Sequence, residues 1–425
     1  MTKPNTDKNA WAWVPTLYFT EGLPYVIIIT LSVIMYKKLG VSNADIGLYT
    51  SWLYLPWVIK PLWSPIVDIK GTKRKWFLYM QLLIGIVFLG VGFSIPTNNF
   101  FIVSLACFWI AAFASATNDI ASDGHYLIAL SEKKQSFFLG VRSTFYRLAM
   151  ITGQGLIVVL AGFLETYYGD NQKAWSLTMI CTALLMITLT AINLLVTPKV
   201  EERTHTPSKS IRFFEVFATF FQKKQIGLII AFILLYRLGE SQLVKMAAPF
   251  LLDTPETGGL ALSTTQVGTI YGTFGVIALT IGGILGGIAI SVQGLKKWML
   301  PMILALNLPN LFYILLAFWQ PTSITFATIV VIIEQFGYGF GFAAFLMFLI
   351  YVAEGISKTS HYAIATGFMA LGMMLPGMIS GFIQEEIGYT GFFIWVAIAA
   401  IPAIILSRYL QYPDDYGKKD KSKEE

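Results

Sequence analysis

Runs of apolar residues divide this chain into twelve hydrophobic spans joined by short polar connections. They cover 12–35, 44–67, 76–96, 100–128, 136–163, 174–197, 226–251, 264–291, 298–319, 323–352, 360–384 and 389–410. Each is long enough to cross a hydrocarbon core roughly 30 Å thick at about 1.5 Å per helical residue. The longest polar stretch between spans, Thr197 to Gln225, holds Pro198, Pro207 and many charges, and falls between the sixth and seventh spans. The pattern predicts an all-α polytopic membrane protein of twelve transmembrane helices in two six-helix halves. The expected boundaries are an N-terminal half over 1–197, a cytoplasmic linker over 198–225, a C-terminal half over 226–410 and a polar tail over 411–425. Phe213, Phe214, Phe217, Phe220 and Phe221 give the linker an amphipathic second part, which predicts a short helix at the membrane interface.

The polar positions inside the spans are sorted. Ten ionisable residues sit deep within apolar stretches: Glu21 on span 1, Lys60 on span 2, Asp119 and Asp123 on span 4, Arg142 and Arg147 on span 5, Arg237, Glu240 and Lys245 on span 7, and Glu334 on span 10. Spans 3, 6 and 9 carry none. A charge at the bilayer centre costs roughly 2.5–3.5 kcal/mol on the mildest scale, so ten facing lipid would cost on the order of 25 kcal/mol, more than a typical domain's stability. They must face protein or water. Five are acids and five are bases, so they can pair.

Composition agrees with the pattern. The chain is 56% hydrophobic and 13% charged, against about 25% charged for soluble domains. Met1 to Ala10 is polar and shows no cleavage pattern of a signal peptide. With both termini cytoplasmic, that side gathers Lys3, Lys8, the Lys70–Lys75 cluster, Lys133, Lys134, the 199–224 linker, Lys296, Lys297, Lys358 and the Lys-rich tail. The other side holds only Lys37, Lys38 and Lys173. The net charge of +6 thus reflects topology and gives no reason to expect a nucleic-acid partner. Cys107 and Cys181 lie inside apolar spans as packing residues, and the three histidines lack ligand spacing, so neither metal nor cofactor is expected.

The chemistry of the interior charges suggests roles. Asp119 and Asp123, four apart, stack on one helical face, and two carboxylates about 6 Å apart do not ionise together easily in low dielectric. They are proton-coupling candidates, with a structural ion pair to Arg142 or Arg147 as the alternative. Arg237 and Glu240, three apart, form either an internal ion pair or a substrate clamp beside a titratable site. Lys245, further out on span 7, would meet an anionic ligand at the entrance. Glu21 and Glu334 complete the proton-coupling candidates. Lys60, Arg147, Arg237, Lys245 and Asn118 are the polar substrate-binding candidates, and Tyr18, Tyr25 and Tyr271 could stack on sugar faces. Four glycines at 282, 283, 286 and 287 predict close helix contact, the Gly337, Gly339, Gly341 run is expected to let helix 10 bend during gating, and Pro24 and Pro376 predict kinks.

Span 2 ends in P-L-W-S-P-I-V-D, followed by I-K-G-T-K-R-K at 69–75. Asp68, Gly71, Lys73 and Arg74 resemble the loop signature of the major facilitator superfamily, which implies a gating loop joining helix ends. The second-half counterpart, V-Q-G-L-K-K at 292–297, keeps only the glycine and the lysines. Further segments are similar to the AmpG-type muropeptide permeases and the related acetyl-coenzyme A transporters: E-G-L-P at 21–24, K-P-L-W-S-P at 60–65, N-D-I-A-S-D at 118–123, Y-R-L at 146–148, Y-R-L-G-E at 236–240 and T-Q-V-G-T-I-Y-G-T-F-G at 265–275. The resemblance implies the major facilitator fold, with helices 1, 4, 7 and 10 lining a cavity and 3, 6, 9 and 12 outside. It departs in Glu21, where a small residue is expected. G-Q-G at 153–155 lacks the proline-bearing antiporter pattern, which favours symport.

The expected function is a proton-coupled importer of cell-wall recycling fragments, anhydromuropeptides or their amino-sugar disaccharide, acting as a monomer in the bacterial inner membrane. The alternatives are a proton symporter of another acidic or amino sugar and a coenzyme A ester transporter. An enzyme is not expected: Asp123 and His125 are two apart, so on a helix they diverge and form no dyad.

Overall fold

The computed structural model of the chain describes residues 10–69, 71–200, 213–354 and 358–418. Lys70, most of the linker and the end of the tail lie outside these, as does the side chain of Asp68. The described residues are helical, with no strand among them. By length and composition ten of their helices can cross a membrane. One is a double crossing, and a further broken helix brings the order to twelve.

Helix α1 spans Ala10–Lys38 and widens into a π-turn at Ile27–Leu31, shortly after Pro24. Helix α2 is assembled from Asn43–Trp52, Leu55–Ile59, a 3-10 turn Lys60–Leu62 and Ser64–Ile69. Pro56, Pro61 and Pro65 remove three donors along it, which accounts for the breaks. Then follow α3 (Lys73–Ser94), α4 (Phe100–Ala129), α5 (Glu132–Ile151, a π-turn Thr152–Leu156, and Ile157–Tyr168) and α6 (Asn171–Val196). In the second half α7 is broken between Ile226–Leu235 and Leu238–Leu252. Helix α8 runs as Thr264–Thr269, a π-turn Ile270–Gly275 and Val276–Gln293. Helix α9 is Leu295–Asn307 with Asn310–Trp319, and α10 is Ile324–Ala353. Helices α11 (358–387) and α12 (389–407) are separated by Gly388, whose φ of 70° and ψ of 172° leave the helical region. Polar caps start several of these: Ser42 accepts from Asp45 N–H, Asp170 from Gln172 and Lys173 N–H, and Ser263 forms a capping box with Gln266.

Two compact units result. The first comprises 1–41, 59–208 and 263–272, the second 42–58, 209–262 and 273–425. In the first, the opening turns of α8 lie against α5. A Cβ on Gly272 would fall 2.0 Å from the Cα of Gly155, and one on Gly162 2.4 Å from Thr265 Oγ1. Thr264 Oγ1 donates to Glu165 Oε2 at 2.6 Å, and Trp175 Nε1 to Glu165 Oε1 at 2.7 Å. In the second, the start of α2 lies against α11: a Cβ on Gly381 would fall 1.8 Å from the Asn43 carbonyl oxygen. Asn43 Nδ2 donates to Gln384 Oε1 at 2.5 Å, and Ala44 N–H to Glu385 Oε1 at 2.9 Å. The linker helix Phe213–Phe221 also belongs here, with Phe220 buried against His361 and Phe368.

Helix α10 is continuous through its glycine run, from Ile324 to Ala353. A Cβ at Gly337 would sit 2.0 Å from the Ala305 carbonyl, at Gly341 2.5 Å from the Met302 carbonyl, and at Gly339 2.1 Å from the Leu279 carbonyl. The three glycines let the backbones of α9 and α8 approach on two sides. On α8 the close contact comes at Gly282 and Gly286, where a Cβ would lie 2.2 Å from the Phe336 carbonyl and 2.8 Å from the Phe340 carbonyl, while Gly287 meets nothing within 4 Å. We expect Gly337→Leu to cost about 1–3 kcal/mol or more through overpacking and to lower the thermal midpoint in detergent. Gly287→Ala, with open space around its Cβ, should leave the midpoint unchanged or raised. Equal behaviour of the two would contradict this packing account.

Candidate functional site

The first unit brings α1, α2, α4 and α5 together through charge. Asp119 and Lys60 meet at 3.8 Å between Oδ2 and Nζ. One turn on, Asp123 Oδ1 accepts from Arg142 Nη2 at 2.9 Å and from the Tyr18 hydroxyl at 3.0 Å. The Arg142 guanidinium lies 4.5 Å from the centre of the Tyr18 ring, a cation–π geometry. Tyr18 thus contacts both members of this ion pair. Glu21 is buried in the field of Asp123, Asp119, Arg142 and Lys60, and its Oε2 has no hydrogen-bond partner. Arg147, Tyr25 and Tyr271 are half-buried in the same unit. Tyr146, which residue-type reasoning passed over, packs against α1 where Gly22 leaves room, and lies in the field of Tyr25, Asp119 and Glu21.

Asn118 takes a different place from its expected one beside the substrate. Fully buried, its Oδ1 accepts from Gln81 Nε2 at 3.1 Å and from Ser122 Oγ at 3.4 Å. Gln81 Oε1 in turn accepts from Asn193 Nδ2 at 3.1 Å, and Asn193 Nδ2 reaches Thr20 Oγ1 at 2.9 Å. This amide chain links α4, α3, α6 and α1 within the unit. A scan for charge could not find it, because amides carry none; Gln and Asn inside otherwise clean spans were the available signal.

The gating-loop residues hold helix ends. Gly71 has φ +76°, the left-handed turn that favours glycine. Lys73 is buried and donates to the Val67 carbonyl at 2.9 Å, closing back on α2. Arg74 Nε donates to the carbonyl and Oγ1 of Thr197, both at 3.1 Å, and Nη2 to the Leu194 carbonyl, tying the loop to the end of α6.

In the second unit, Arg237 sits at the break of α7 with φ −111° and ψ 20°. Its Nε and Nη2 both lie 2.8 Å from Glu240 Oε2, and Nη2 also donates to the Tyr338 hydroxyl at 2.8 Å. The rings of Tyr338 and Phe342 flank the guanidinium at 4.9 and 5.1 Å. Tyr236, just before it, stacks on Phe345 at 4.3 Å and donates to the Gly341 carbonyl at 2.7 Å. The break is thus pinned on both sides. Lys245 is 1% exposed, with Nζ 2.9 Å from Thr50 Oγ1 and above the Tyr54 ring, so it is enclosed where an entrance position was expected. Glu334 is 2% exposed, and both its carboxylate oxygens accept from Gln335 Nε2, at 3.1 and 3.0 Å. Among the described residues no cation pairs with it.

Helices of membrane length joined by ion pairs define a multi-pass membrane protein. The sequence profile of the Major Facilitator Superfamily matches residues 16–361, and the chain belongs to that superfamily. It is 26% identical over 414 residues to the Rickettsia conorii protein named "Putative transporter AmpG 4", covering 93% of this chain and 94% of that one. It is also 26% identical over 403 residues to the "Anhydromuropeptide permease" of Escherichia coli K12, covering 92% of this chain and 77% of that one. Among solved structures, the nucleoside transporter NupG superposes with a TM-score of 0.70 at 17% identity, over 96% of this chain and 98% of that one. A D-xylose-proton symporter superposes with a TM-score of 0.70 at 14% identity, over 96% and 98%. These likenesses show the fold.

The Arg237–Glu240 pair is enclosed, with side-chain exposures of 9% and 1%. Removing one member of such a pair costs about 3–5 kcal/mol, whereas replacing both by apolar groups is close to neutral. We expect Arg237→Met to lower the thermal midpoint sharply and the double change Arg237→Met with Glu240→Leu to recover most of it. A double variant as unstable as the single would contradict this reading of the pair.

Proposed function

We propose that the protein is a proton-coupled importer of anhydromuropeptides or their amino-sugar disaccharide, working by alternating access. In this reading it acts as a monomer in the bacterial inner membrane with both termini cytoplasmic. The halves 1–197 and 226–410, joined by the 198–225 linker, rock about the cargo, and residues 411–425 form a cytoplasmic tail. The observation that carries the cargo is the similarity to the anhydromuropeptide permease, which runs over 92% of the chain. The cations suit an acidic cargo: half-buried Lys60 and Arg147 and buried Arg237 and Lys245 carry ammonium and guanidinium groups of the kind that pair with carboxylates.

The geometry favours one carboxylate for the proton. Asp119, Asp123 and Glu240 each face a cation at 3.8, 2.9 and 2.8 Å, so protonating any of them breaks an ion pair, and for Glu240 it would leave the enclosed Arg237 uncompensated. Glu334 can take up and release a proton without breaking an ion pair. Glu21 is the corresponding candidate in the first unit. A membrane potential of 100 mV contributes roughly 2.3 kcal/mol per charge moved, so one coupled proton can drive appreciable accumulation.

Proteoliposomes loaded with the purified chain test both parts. An inward proton gradient should drive uptake of labelled N-acetylglucosaminyl-anhydromuramyl peptide. Glu334→Gln should lower gradient-driven accumulation by about tenfold or more, the equivalent of one lost proton's driving force, while substrate counterflow persists. Accumulation by Glu334→Gln equal to the unaltered protein would remove Glu334 from the coupling path. Absence of muropeptide uptake in a preparation that moves simple sugars would refute the cargo.

A further inference from the structure

The loop between α8 and α9 turns at Gly294, with φ +86°. It keeps the glycine and lysines of the loop signature but contributes no acid of its own. The structure brings an acid to it from the other end of the half. Residues 411–418, leaving α12, cross the ends of α8, α9 and α10 within the second unit. Leu295 N–H donates to the Tyr416 carbonyl at 2.8 Å, and Lys296 Nζ pairs with Asp414 Oδ1. The Tyr351 hydroxyl of α10 donates to the Gln411 carbonyl at 3.2 Å. The rings of Tyr412 and Tyr416 pack on Tyr351 at 5.9 and 5.0 Å between centres, and Tyr412 on Phe348 at 6.0 Å. Gly417, at φ +81°, fits so closely that a Cβ would lie 2.7 Å from Met347 Cε and 2.9 Å from Ile290 Cγ2.

The first unit holds its own signature loop in the same manner. There Arg74 anchors the loop after α2 to Leu194 and Thr197, where the chain leaves α6. In each half, then, the loop after the second helix is tied to the chain leaving the sixth. The partners differ: backbone carbonyls of the helix end serve Arg74, while a carboxylate and a carbonyl beyond the helix end serve Lys296 and Leu295.

We propose that residues 411–418 are a strap in which Asp414 and Tyr416 complete the second copy of the loop signature. They are positioning residues that make the ends of α8, α9, α10 and α12 move as one body during transport. The ion pair is exposed, Lys296 by 56% and Asp414 by 82% of their side chains. It therefore sets the register of the strap, and the backbone bond and the tyrosine rings hold it. The inference rests on membership of the transporter superfamily and is independent of the cargo and of proton coupling.

Hydrogen exchange and transport, measured together on the full-length chain, test it. The variants are Lys296→Asp, Asp414→Lys, the exchanged pair carrying both changes, and Gly417→Val, which drives a branched side chain into Met347. Each single variant should speed exchange of the Leu295 amide by about fivefold or more, the loss expected for one modest local interaction. Each should also lower turnover at unchanged half-saturation, read with whichever of the labelled muropeptide or simple sugar the unaltered protein carries. The exchanged pair should restore both readouts. Unchanged exchange in Gly417→Val, or an exchanged pair no better than its singles, would overturn the strap. Faster exchange with unaltered turnover would overturn its role in transport. A failed cargo leaves the exchange readout intact, so the two failures are distinguishable.

Discussion

An ionisable group at bilayer depth must find a partner inside the protein, and the rest of this structure depends on how that demand is met. Lys60 with Asp119 joins α2 to α4, Arg142 with Asp123 joins α5 to α4, and Arg237 with Glu240 bridges the break in α7. Each pair closes within one compact unit. Such pairs add little net stability over apolar packing, but removing one partner is strongly destabilising. They fix which helices sit beside which. Aromatic faces help by accepting the cations where hydrogen bonds run out, as Tyr18 does for Arg142 and Tyr338 and Phe342 do for Arg237.

The same constraint distinguishes carboxylates held by a cation from one that, among the described residues, is not. A carboxylate committed to a guanidinium is held in one charge state by it. Glu334, in contact with a neutral amide, is not held in that way. Around it the backbone is packed through glycines, since α10 meets α9 at Gly337 and Gly341 and α8 at Gly339. Close backbone packing without large side chains gives stiff helix pairs, which a rocking transporter needs if motion at one end is to reach the other. Arg74 at one loop and the Asp414–Tyr416 segment at another tie helix ends into the same bodies.

Much of this was legible in the sequence. Apolar length gave the helices, because the bilayer imposes a single thickness on them. Sorting of charge among the spans identified the helices that bear the ion pairs, because misplaced charge is too unfavourable at that depth to be tolerated. Spacing placed Arg237 and Glu240 on one helical face and left open whether they pair, which the structure shows they do. Other features were hidden because they depend on neighbours distant in the chain. The Asn118–Gln81–Asn193–Thr20 chain joins four helices through uncharged groups. The enclosure of Lys245 comes from Thr50, nearly two hundred positions earlier in the chain. The close packing of α10 at its glycine run depends on Ala305, Met302 and Leu279, which lie on other helices. The π-turns in α1, α5 and α8 left no local signature beyond Pro24 and the glycines near them.

We propose that Glu334, a buried carboxylate that no cation pairs with among the described residues, couples proton movement to cargo. The pH of a weakly buffered medium around proteoliposomes, followed when anhydromuropeptide is added with no imposed gradient, tests this. Cargo entry should alkalinise the medium, and the signal should be abolished in Glu334→Gln while counterflow continues. Cargo entry without any movement of protons, in vesicles shown to be proton-tight, would contradict it.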